Sequence, residues 1–427
     1  MLSPSSFATP WSRAQLVLFR FIVLYATMFS LSHFFGVPFG NTIQTLWEKP
    51  WDSFVPWVGR LVFGIDEMTA RPLGSGDTTY NYVQIFTMFV LAGVGSIVWS
   101  ILDRGRRHYD RLLYAATTAM RYYLFFVMFT YGIVKVIKLQ FPFPGFETLM
   151  RPYGDSSPMR LLWTLMGYST SYTFFAGLGE IIGGALLLFR RTTTLGALIV
   201  LGVMSNVAMM NFSFDVPVKI FSVHLVIFAT LLLLRDARRL LNVFVLNRAA
   251  APANLATPIP AGWPNWVRLG LKVGLVGFAV VTGITGSLEA QKQWGTNRDL
   301  PPLYGLYDVE TFSVNGDTLA PPLTDGTRWQ HLVVDYPDNA NIHLMSGLRI
   351  GVNFHPDTLV QNLRFAPYAD STDEARFDYS FPDSTRMVLN GTWGGDTLSI
   401  TMQRRLPADF LLVNRGFHWI NETPFNR

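Results

Sequence analysis

The chain has 427 residues, of which 50% are hydrophobic, 15% are charged and none is cysteine. An average soluble domain carries about 25% charged residues, so this composition indicates a membrane protein. The lack of cysteine excludes disulfides, thiolate metal sites and iron–sulfur clusters. Residues 1–287 hold 23 Lys and Arg against 12 Asp and Glu, whereas residues 288–427 hold 11 against 17. Neither part shows a compact basic face, so nucleic acid is not expected as a partner.

Seven stretches are predicted to be transmembrane helices. At about 1.5 Å per residue each covers roughly 27–37 Å, close to or above the ~30 Å thickness of the hydrocarbon core. In chain order they are residues 13–35, 80–102, 112–136, 172–189, 193–211, 216–234 and 266–287.

The distribution of Lys and Arg predicts the orientation of these helices. One set of connecting segments carries 11 Lys and Arg in 54 residues, and the opposite set carries six in 84. The positive-inside rule then places the N-terminus in the cytoplasm. Seven crossings of the cytoplasmic (inner) membrane would leave everything after residue 287 outside, whereas an even number of crossings would place it inside.

Several polar side chains are expected at similar depth in the bilayer, where each ionisable group needs a partner or a function. Glu180 shares its helical face with small residues, which allow close helix packing and predict that Glu180 points into the bundle. We expect a polar, ligand-binding pocket that opens outward above an Arg121–Glu180 ion pair. Its predicted lining residues are Tyr131, Lys135, Asn206, Lys219 and His224.

Each of these residues also has a purely structural interpretation. The arginine–glutamate pair would serve equally to fix helix register, and Lys135 and Lys219 would reach the outer headgroups. His224 is more often a buried core histidine than a ligand, and Asp215 is predicted to cap the sixth span. One carboxylate and one imidazole at this depth do not predict a metal site.

A series of motifs within residues 112–240 resembles the DoxX-like membrane family. The motifs are Tyr131-Gly132-x-x-Lys135, Pro152-Tyr153-Gly154, Trp163-x-x-Met166-Gly167, Glu180-x-x-Gly183-Gly184 and Asp215-Val216-Pro217-Val218-Lys219. The resemblance covers about 130 of the 427 residues and implies a four-helix bundle. The family is named after a subunit associated with a thiosulfate:quinone oxidoreductase, so the resemblance also implies a quinone as candidate ligand and a redox-linked role. A thiol relay cannot operate in this chain, which lacks cysteine.

Two connecting segments on the outer side are rich in aromatic residues. Residues 38–64 contain three tryptophans, and residues 137–171 contain a predicted helix start at Ser157 and Pro158. Aromatic and basic residues together suit an interfacial helix, and an aromatic belt is the alternative. The interface candidates here are Arg151, Tyr153 and Trp163.

Residues 295–427 change to short alternating runs separated by turn signals, which predicts an antiparallel meander closed into a barrel or folded as a sandwich. The predicted strands are 307–315, 328–335, 341–346, 349–354, 359–366, 375–381, 386–393, 396–403 and 410–414. Such a barrel either holds one small ligand or is filled by side chains. His418 and Trp419, in an aromatic C-terminal segment, are further interface candidates that are expected to pack and close the domain.

The fold class is therefore a polytopic α-helical membrane protein with an extracytoplasmic β domain. Four regions are predicted: an N-terminal pair of spans (1–111), a DoxX-like bundle (112–248), a cytoplasmic linker with the seventh span (249–294) and the β domain (295–427). No complete catalytic motif is present. The leading hypothesis is a non-catalytic anchor, assembly or ligand-binding component with an envelope or redox protein partner. The alternatives are a quinone-linked redox subunit and, last, a transporter of small solutes or lipids.

Overall fold

The computed structural model describes residues 10–34, 36, 39–68, 74–253, 255, 265–321 and 326–426. The chain forms two compact units. We call Met1–Phe141 with Pro158–Gln291 the helical unit, and Pro142–Ser157 with Lys292–Arg427 the barrel unit. The helices are α1 (Arg13–Ser32), α2 (Gly40–Phe63), α3 (Thr79–Leu102), α4 (Asp110–Val136), α5 (Phe146–Leu149), α6 (Pro158–Tyr168), α7 (Thr170–Leu187), α8 (Thr193–Ser213), α9 (Lys219–Leu234), α10 (Ala237–Phe244), α11 (Asn265–Trp294) and α12 (Leu411–Asn414).

Five of the described helices are long and apolar enough to cross a membrane, namely α1, α3, α4, α8 and α11. They coincide with five of the seven predicted spans. Helix α9 meets the same criterion only together with α10, from which it is bent by 82°. Helix α7 corresponds to the remaining predicted span but is not among the five, since its 18 residues include several glycines and Glu180.

The helical unit contains two packed groups. In one group α1, α2 and α3 contact one another, and in the other α4, α7, α8 and α9 pack in that order around a shared apolar core, with α9 also contacting α4. Helix α2 was not predicted as a long helix, because its 24 residues include Pro50, Pro56 and several charges. Trp51 on α2 is buried against Val83 and Tyr80 of α3. The predicted helix start at Pro158 is confirmed by α6.

The barrel unit contains a nine-stranded antiparallel sheet, in which all strands except the two-residue β2 form a closed eight-stranded barrel. The strands are β1 (Gly305–Val314), β2 (Asp317–Thr318), β3 (Trp329–Tyr336), β4 (Asn339–Leu344), β5 (Arg349–Asp357), β6 (Asn362–Pro367), β7 (Ala375–Ser380), β8 (Arg386–Trp393) and β9 (Asp396–Arg405). Each strand pairs with the next along the chain apart from the two-residue β2, which extends β1 as a hairpin. Pairing of β1 with β9, from Leu306 opposite Arg405 to Val314 opposite Leu398, closes the barrel.

The predicted strands agree with the barrel except at residues 410–414. That segment forms the short helix α12 and not a ninth strand. Alternate residues on each strand point into the barrel. Many of these inward residues are large aromatic side chains, and together they fill the interior. Trp329, at the start of β3, is buried with its ring within 6.1 Å of the rings of Phe312, Phe365 and Phe377. Among the two interpretations of the barrel, the filled interior favours side-chain packing over an enclosed ligand.

Residues 142–157, which we call the inserted segment, belong to the barrel unit, although they lie between α4 and α6 in the chain. The β domain is therefore larger than the predicted 295–427. Phe146 is fully buried against Leu306 and Val333. Its backbone amide hydrogen-bonds the carboxylate of Asp335, which also pairs with Arg298 at 2.6 Å. These contacts attach the inserted segment to strands β1 and β3.

Glu147 provides the polar part of this attachment. One carboxylate oxygen lies 3.0 Å from Nε2 of His343 on β4, and the other lies 3.5 Å from the Arg349 guanidinium on β5. Burial raises the pKa of Glu147, but the hydrogen bond from His343 and the positive charges of His343, Arg349 and Arg151 outweigh burial. The net pKa therefore lies below its ordinary value, so the folded state favours the ionised carboxylate.

Candidate functional site

Helices α4 and α7 pack backbone to backbone because glycines face each other at their contact. A Cβ atom added at Gly132 would lie 2.9 Å from the carbonyl oxygen of Gly177, and one at Gly177 would lie 2.7 Å from the carbonyl oxygen of Gly132. Real Cβ contacts are longer than this, so larger residues at either position would push the helices apart. Small residues allow this approach in membrane helices. The sequence predicted close packing of this helix from other small residues on the Glu180 face, Ala176, Gly183 and Gly184.

This contact brings Lys135 of α4 and Glu180 of α7 together as an ion pair. The Lys135 ammonium lies 2.9 Å from one carboxylate oxygen of Glu180 and 3.0 Å from the other. It also lies 3.4 Å from the Tyr131 carbonyl oxygen and 5.6 Å from the centre of the Tyr131 ring. The side chains of Glu180 and Lys135 are only 2% and 8% exposed, so water screens the pair weakly.

A cavity of about 640 Å³ lies beside this ion pair in the helical unit. Its size falls in the range typical of small-molecule sites. Helices α4, α6, α7, α8 and α9 supply its walls, which are mostly apolar. Five methionines are prominent among the lining residues, and their flexible side chains adapt to irregular shapes: Met128, Met159, Met166, Met204 and Met210.

Polar groups are few and occupy particular positions on the cavity wall. Tyr131, Lys135, Glu180 and Asn206 line the cavity, as the sequence predicted. Gln140, which sequence analysis missed, also lines it, and its buried Oε1 has no hydrogen-bond partner within the described part of the chain. A buried acceptor without a partner is unfavourable, so this atom is a point at which a ligand donor would be stabilised.

Two more polar lining residues were not predicted. Asn211 of α8 donates to Oγ of Ser222 at 3.0 Å, and Ser222 of α9 donates to the carbonyl oxygen of Lys219 at 3.0 Å. Both side chains face the cavity. The sequence prediction started from ionisable residues, with Asn206 as its one amide, and gave Asn211 and Ser222 no place in the pocket.

The predicted Arg121–Glu180 pair is wrong. Arg121 is buried on α4, but its Nε donates to the carbonyl oxygen of Leu187 at 2.8 Å. Leu187 is the last residue of α7, where backbone carbonyls lack an intrahelical partner. Lys272 of α11 binds the next carbonyl oxygen, that of Leu188, at 2.7 Å. Arg121 thus caps α7 and does not line the cavity.

Lys219 also lies outside the cavity lining. Its ammonium pairs with Asp215 at 2.9 Å. The predicted capping role of Asp215 is wrong, because Asp77 caps α9 from the segment before α3. The carboxylate oxygens of Asp77 accept hydrogen bonds from the backbone amides of Lys219 and Ile220 at 2.7 and 2.9 Å. A cap supplied from another part of the chain leaves no local sequence signal.

His224 is a satisfied core residue and not part of the cavity lining. Its Nδ1 lies 2.7 Å from the Ile220 carbonyl oxygen, so it carries the proton, and its Nε2 accepts from the Tyr25 hydroxyl at 2.7 Å. The imidazole stacks on Phe29 with ring centres 3.8 Å apart. His33 stacks on the same phenyl ring, at 4.4 Å.

The five interface candidates lie in different places. Trp163 lines the cavity and packs against Phe141, with ring centres 5.1 Å apart. Arg151 and Tyr153 belong to the inserted segment, and both are exposed. His418 contacts Arg415. Trp419 is 91% exposed, so the expectation that it closes the domain by packing is wrong.

These observations define the class of protein: a helical membrane region joined to a closed eight-stranded β-barrel. The described residues contain no cluster of three or more His, Asp and Glu side chains that could hold a metal ion. The chain matches no known family profile and no solved structure.

A curated bacterial protein matches one third of the chain. It is the "Uncharacterized protein YwoB" of Bacillus subtilis (strain 168), which is 32% identical over 144 residues. The match covers 34% of this chain and 92% of the relative. The chain therefore belongs to the same family as YwoB, and its remaining two thirds lie outside the match.

Proposed function

We propose that this protein is a non-catalytic membrane component that binds an apolar small molecule with a hydrogen-bonding head group in the helical unit. The observation that carries the proposal is the mostly apolar 640 Å³ cavity with the Lys135–Glu180 ion pair in its wall. Apolar walls bury the body of a ligand, and a few fixed polar groups orient its head.

The polar groups suit recognition better than catalysis. Glu180 and Lys135 form an ion pair with each other, so neither can exchange a proton with a ligand unless the pair first breaks. Gln140 supplies a buried acceptor and Asn206 an amide, which are typical hydrogen-bonding partners for a neutral head group. The absence of a complete catalytic motif in the sequence supports the same conclusion.

The proposal includes the topology predicted from the distribution of Lys and Arg. Helices α7 and α9 would complete seven crossings of the cytoplasmic membrane, with the N-terminus inside and the barrel outside. The barrel would act through its outer surface, since aromatic side chains fill its interior. An envelope or redox protein would then be its partner, and the DoxX-like resemblance remains part of this proposal.

A quinone-linked redox subunit is the second candidate. Tyr131 and Lys135, both in the cavity wall, are groups that would donate hydrogen bonds to a quinone carbonyl. The DoxX-like resemblance also implies this ligand. A transporter of small solutes or lipids ranks last, because the sequence shows no inverted repeat.

The experiment identifies organic molecules that co-purify with the full-length protein, by solvent extraction and mass spectrometry. Gly202 of α8 lines the cavity and has open space where a Cβ would lie, so Gly202→Leu should fill the cavity without strain. Gly274 of α11 also has open space but does not line the cavity, so Gly274→Leu is the matched control.

We expect a defined apolar compound with the native protein and with Gly274→Leu, and its loss from Gly202→Leu. Equal recovery from both variants would refute binding in the cavity. A quinone among the recovered compounds, displaced by added decylubiquinone, would favour the second candidate. Uptake of a solute by reconstituted vesicles, abolished by Gly202→Leu, would favour the transporter.

A further inference from the structure

The two ends of the barrel differ in their exposed residues. The chain arriving from α11 begins β1 at Gly305, and we call this the α11 end of the barrel. Antiparallel register places the turns after β3, β5 and β7, and the end of β9, at this same end. The turns after β4, β6 and β8 lie at the opposite end.

Exposed apolar side chains concentrate at the α11 end. Leu359 and Val360, in the turn after β5, are 94% and 69% exposed. Others at this end are Tyr336, Phe381, Leu406 and Leu411. At the opposite end the described turns expose Leu348 and Tyr368. The C-terminal segment also leaves from the α11 end, and its Trp419 and Ile420 are highly exposed.

The turn that carries Leu359 and Val360 is held in place by hydrogen bonds. One carboxylate oxygen of Asp357 accepts from the backbone amides of Leu359 at 2.9 Å and Val360 at 3.3 Å. Such a turn presents the two side chains outward without a large loss of conformational freedom on binding.

The chain itself limits what can cover this end. Helix α11 is one of the helices long and apolar enough to cross a membrane, and it ends at the exposed aromatic Trp294. Ten residues, 295–304, separate it from Gly305. Even fully extended they reach about 35 Å, at roughly 3.5 Å per residue. The α11 end is thus tethered near the lipid into which α11 would insert, at a high effective concentration.

We propose that the α11 end of the barrel is a lipid-binding surface, with Leu359 and Val360 inserted at the boundary between headgroups and acyl chains. Exposed apolar residues on a fixed turn, together with the aromatic C-terminal segment, match the composition of membrane-interface surfaces. The inference rests on insertion of α11 in a membrane and is independent of ligand binding in the cavity.

The test uses the natural absence of cysteine, which allows one label per variant without background. Leu359→Cys, Leu348→Cys and Val281→Cys are made in the full chain, labelled with an environment-sensitive fluorophore and reconstituted in phosphatidylcholine vesicles. All three side chains are well exposed, so none of the changes should disturb folding. Val281 on α11 reports membrane insertion, and Leu348 reports the opposite end of the barrel.

Brominated phosphatidylcholine should quench the labels at residues 281 and 359 several-fold more than the label at residue 348. A fourth labelled variant, Phe381→Cys, reports the same end of the barrel. Quenching of its label should fall when Leu359 and Val360 are both changed to Asp. Equal, weak quenching at 359 and 348 with strong quenching at 281 would overturn the proposal. Shielding of the label at residue 359 from water in native membranes, but not in vesicles, would also overturn the proposal, in favour of a protein partner.

Discussion

Removing one member of the Lys135–Glu180 pair should destabilise the helical unit far more than removing an exposed ion pair. In Glu180→Leu the Lys135 amine loses its carboxylate partner in a site where its side chain is only 8% exposed, with the Tyr131 carbonyl oxygen as its remaining neighbour. Leaving one charge of a buried pair without its partner typically costs about 3–5 kcal/mol. Lys135→Met should cost less, because Glu180 can then take up a proton.

The double variant Lys135→Met/Glu180→Leu separates the pair from its individual members. Apolar side chains of similar volume often replace a buried ion pair at no cost, or with a gain of about 1–4 kcal/mol. The double variant should therefore be more stable than Glu180→Leu alone. Unfolding of the purified protein in mixed micelles, followed by circular dichroism as denaturing detergent increases, measures each free energy.

Asp215→Asn is the control, since it removes one carboxylate partner of Lys219 where the Asp215 side chain is 84% exposed, and Asp77 remains 3.9 Å from the ammonium. Its cost should stay below about 1 kcal/mol. If Glu180→Leu lowers the unfolding free energy no more than Asp215→Asn does, the Lys135–Glu180 pair is not shielded from water, and the reasoning is refuted. If the double variant loses the sum of the two single losses, the two residues do not act as a pair.

Three further predictions concern packing and pH. Trp329→Ala should lower the unfolding free energy of the barrel unit by about 3–5 kcal/mol, measured by near-ultraviolet circular dichroism, since the indole is buried inside the barrel against three phenylalanine rings. Gly177→Leu should reduce the amount of folded protein in membranes, because its side chain would meet the Gly132 carbonyl oxygen. The protection of amides in the inserted segment against hydrogen exchange, corrected for the intrinsic pH dependence of exchange, should fall as the pH drops below about 4.3, the ordinary pKa of Glu. A depressed pKa stabilises the fold above that value, and this stabilisation is lost as the pH falls through the folded-state pKa.

Matched variants define the outcomes that would contradict these predictions. Trp419→Ala removes an exposed indole, so a loss as large as that of Trp329→Ala would contradict the packing argument. Gly93 has open space where a Cβ would lie, so Gly93→Leu is the control for Gly177→Leu. Equal loss of folded protein from both variants would show that any leucine in these helices is harmful. Glu147→Gln should already raise exchange at neutral pH and reduce its acid dependence, and an unchanged acid dependence would refute the role of Glu147.

The long apolar helices and the barrel strands were predictable, because each depends on a local pattern. Five predicted spans coincide with the five candidate membrane helices, and eight predicted strands coincide with the barrel. Helix α2 was missed because prolines and charges hide its pattern. The inserted segment was missed for another reason: its attachment to the barrel depends on Phe146 and Glu147 meeting residues roughly 160–200 positions away in the chain.

The candidate site was predictable in composition but not in pairing. Small residues beside Glu180 correctly indicated a packed helix face, and Tyr131, Lys135 and Asn206 do line the cavity with it. The partner of Glu180 was wrong because depth along a helix does not determine where a long side chain ends. Lys135 extends its four-carbon stem to the carboxylate, whereas Arg121 is drawn to the free carbonyl at the end of α7.

Stability alone does not explain why an ion pair occupies the wall of an apolar cavity. Two well-packed apolar residues would hold α4 and α7 together at least as well, because desolvating a lysine and a glutamate offsets most of their attraction. The glycines Gly132 and Gly177 allow the two helices to approach closely at a contact separate from the pair. Ionisable residues in membrane helices are rare and generally mark a site of function. Both the pair and the buried acceptor of Gln140 line the cavity, which is why the proposed function assigns them to a ligand head group.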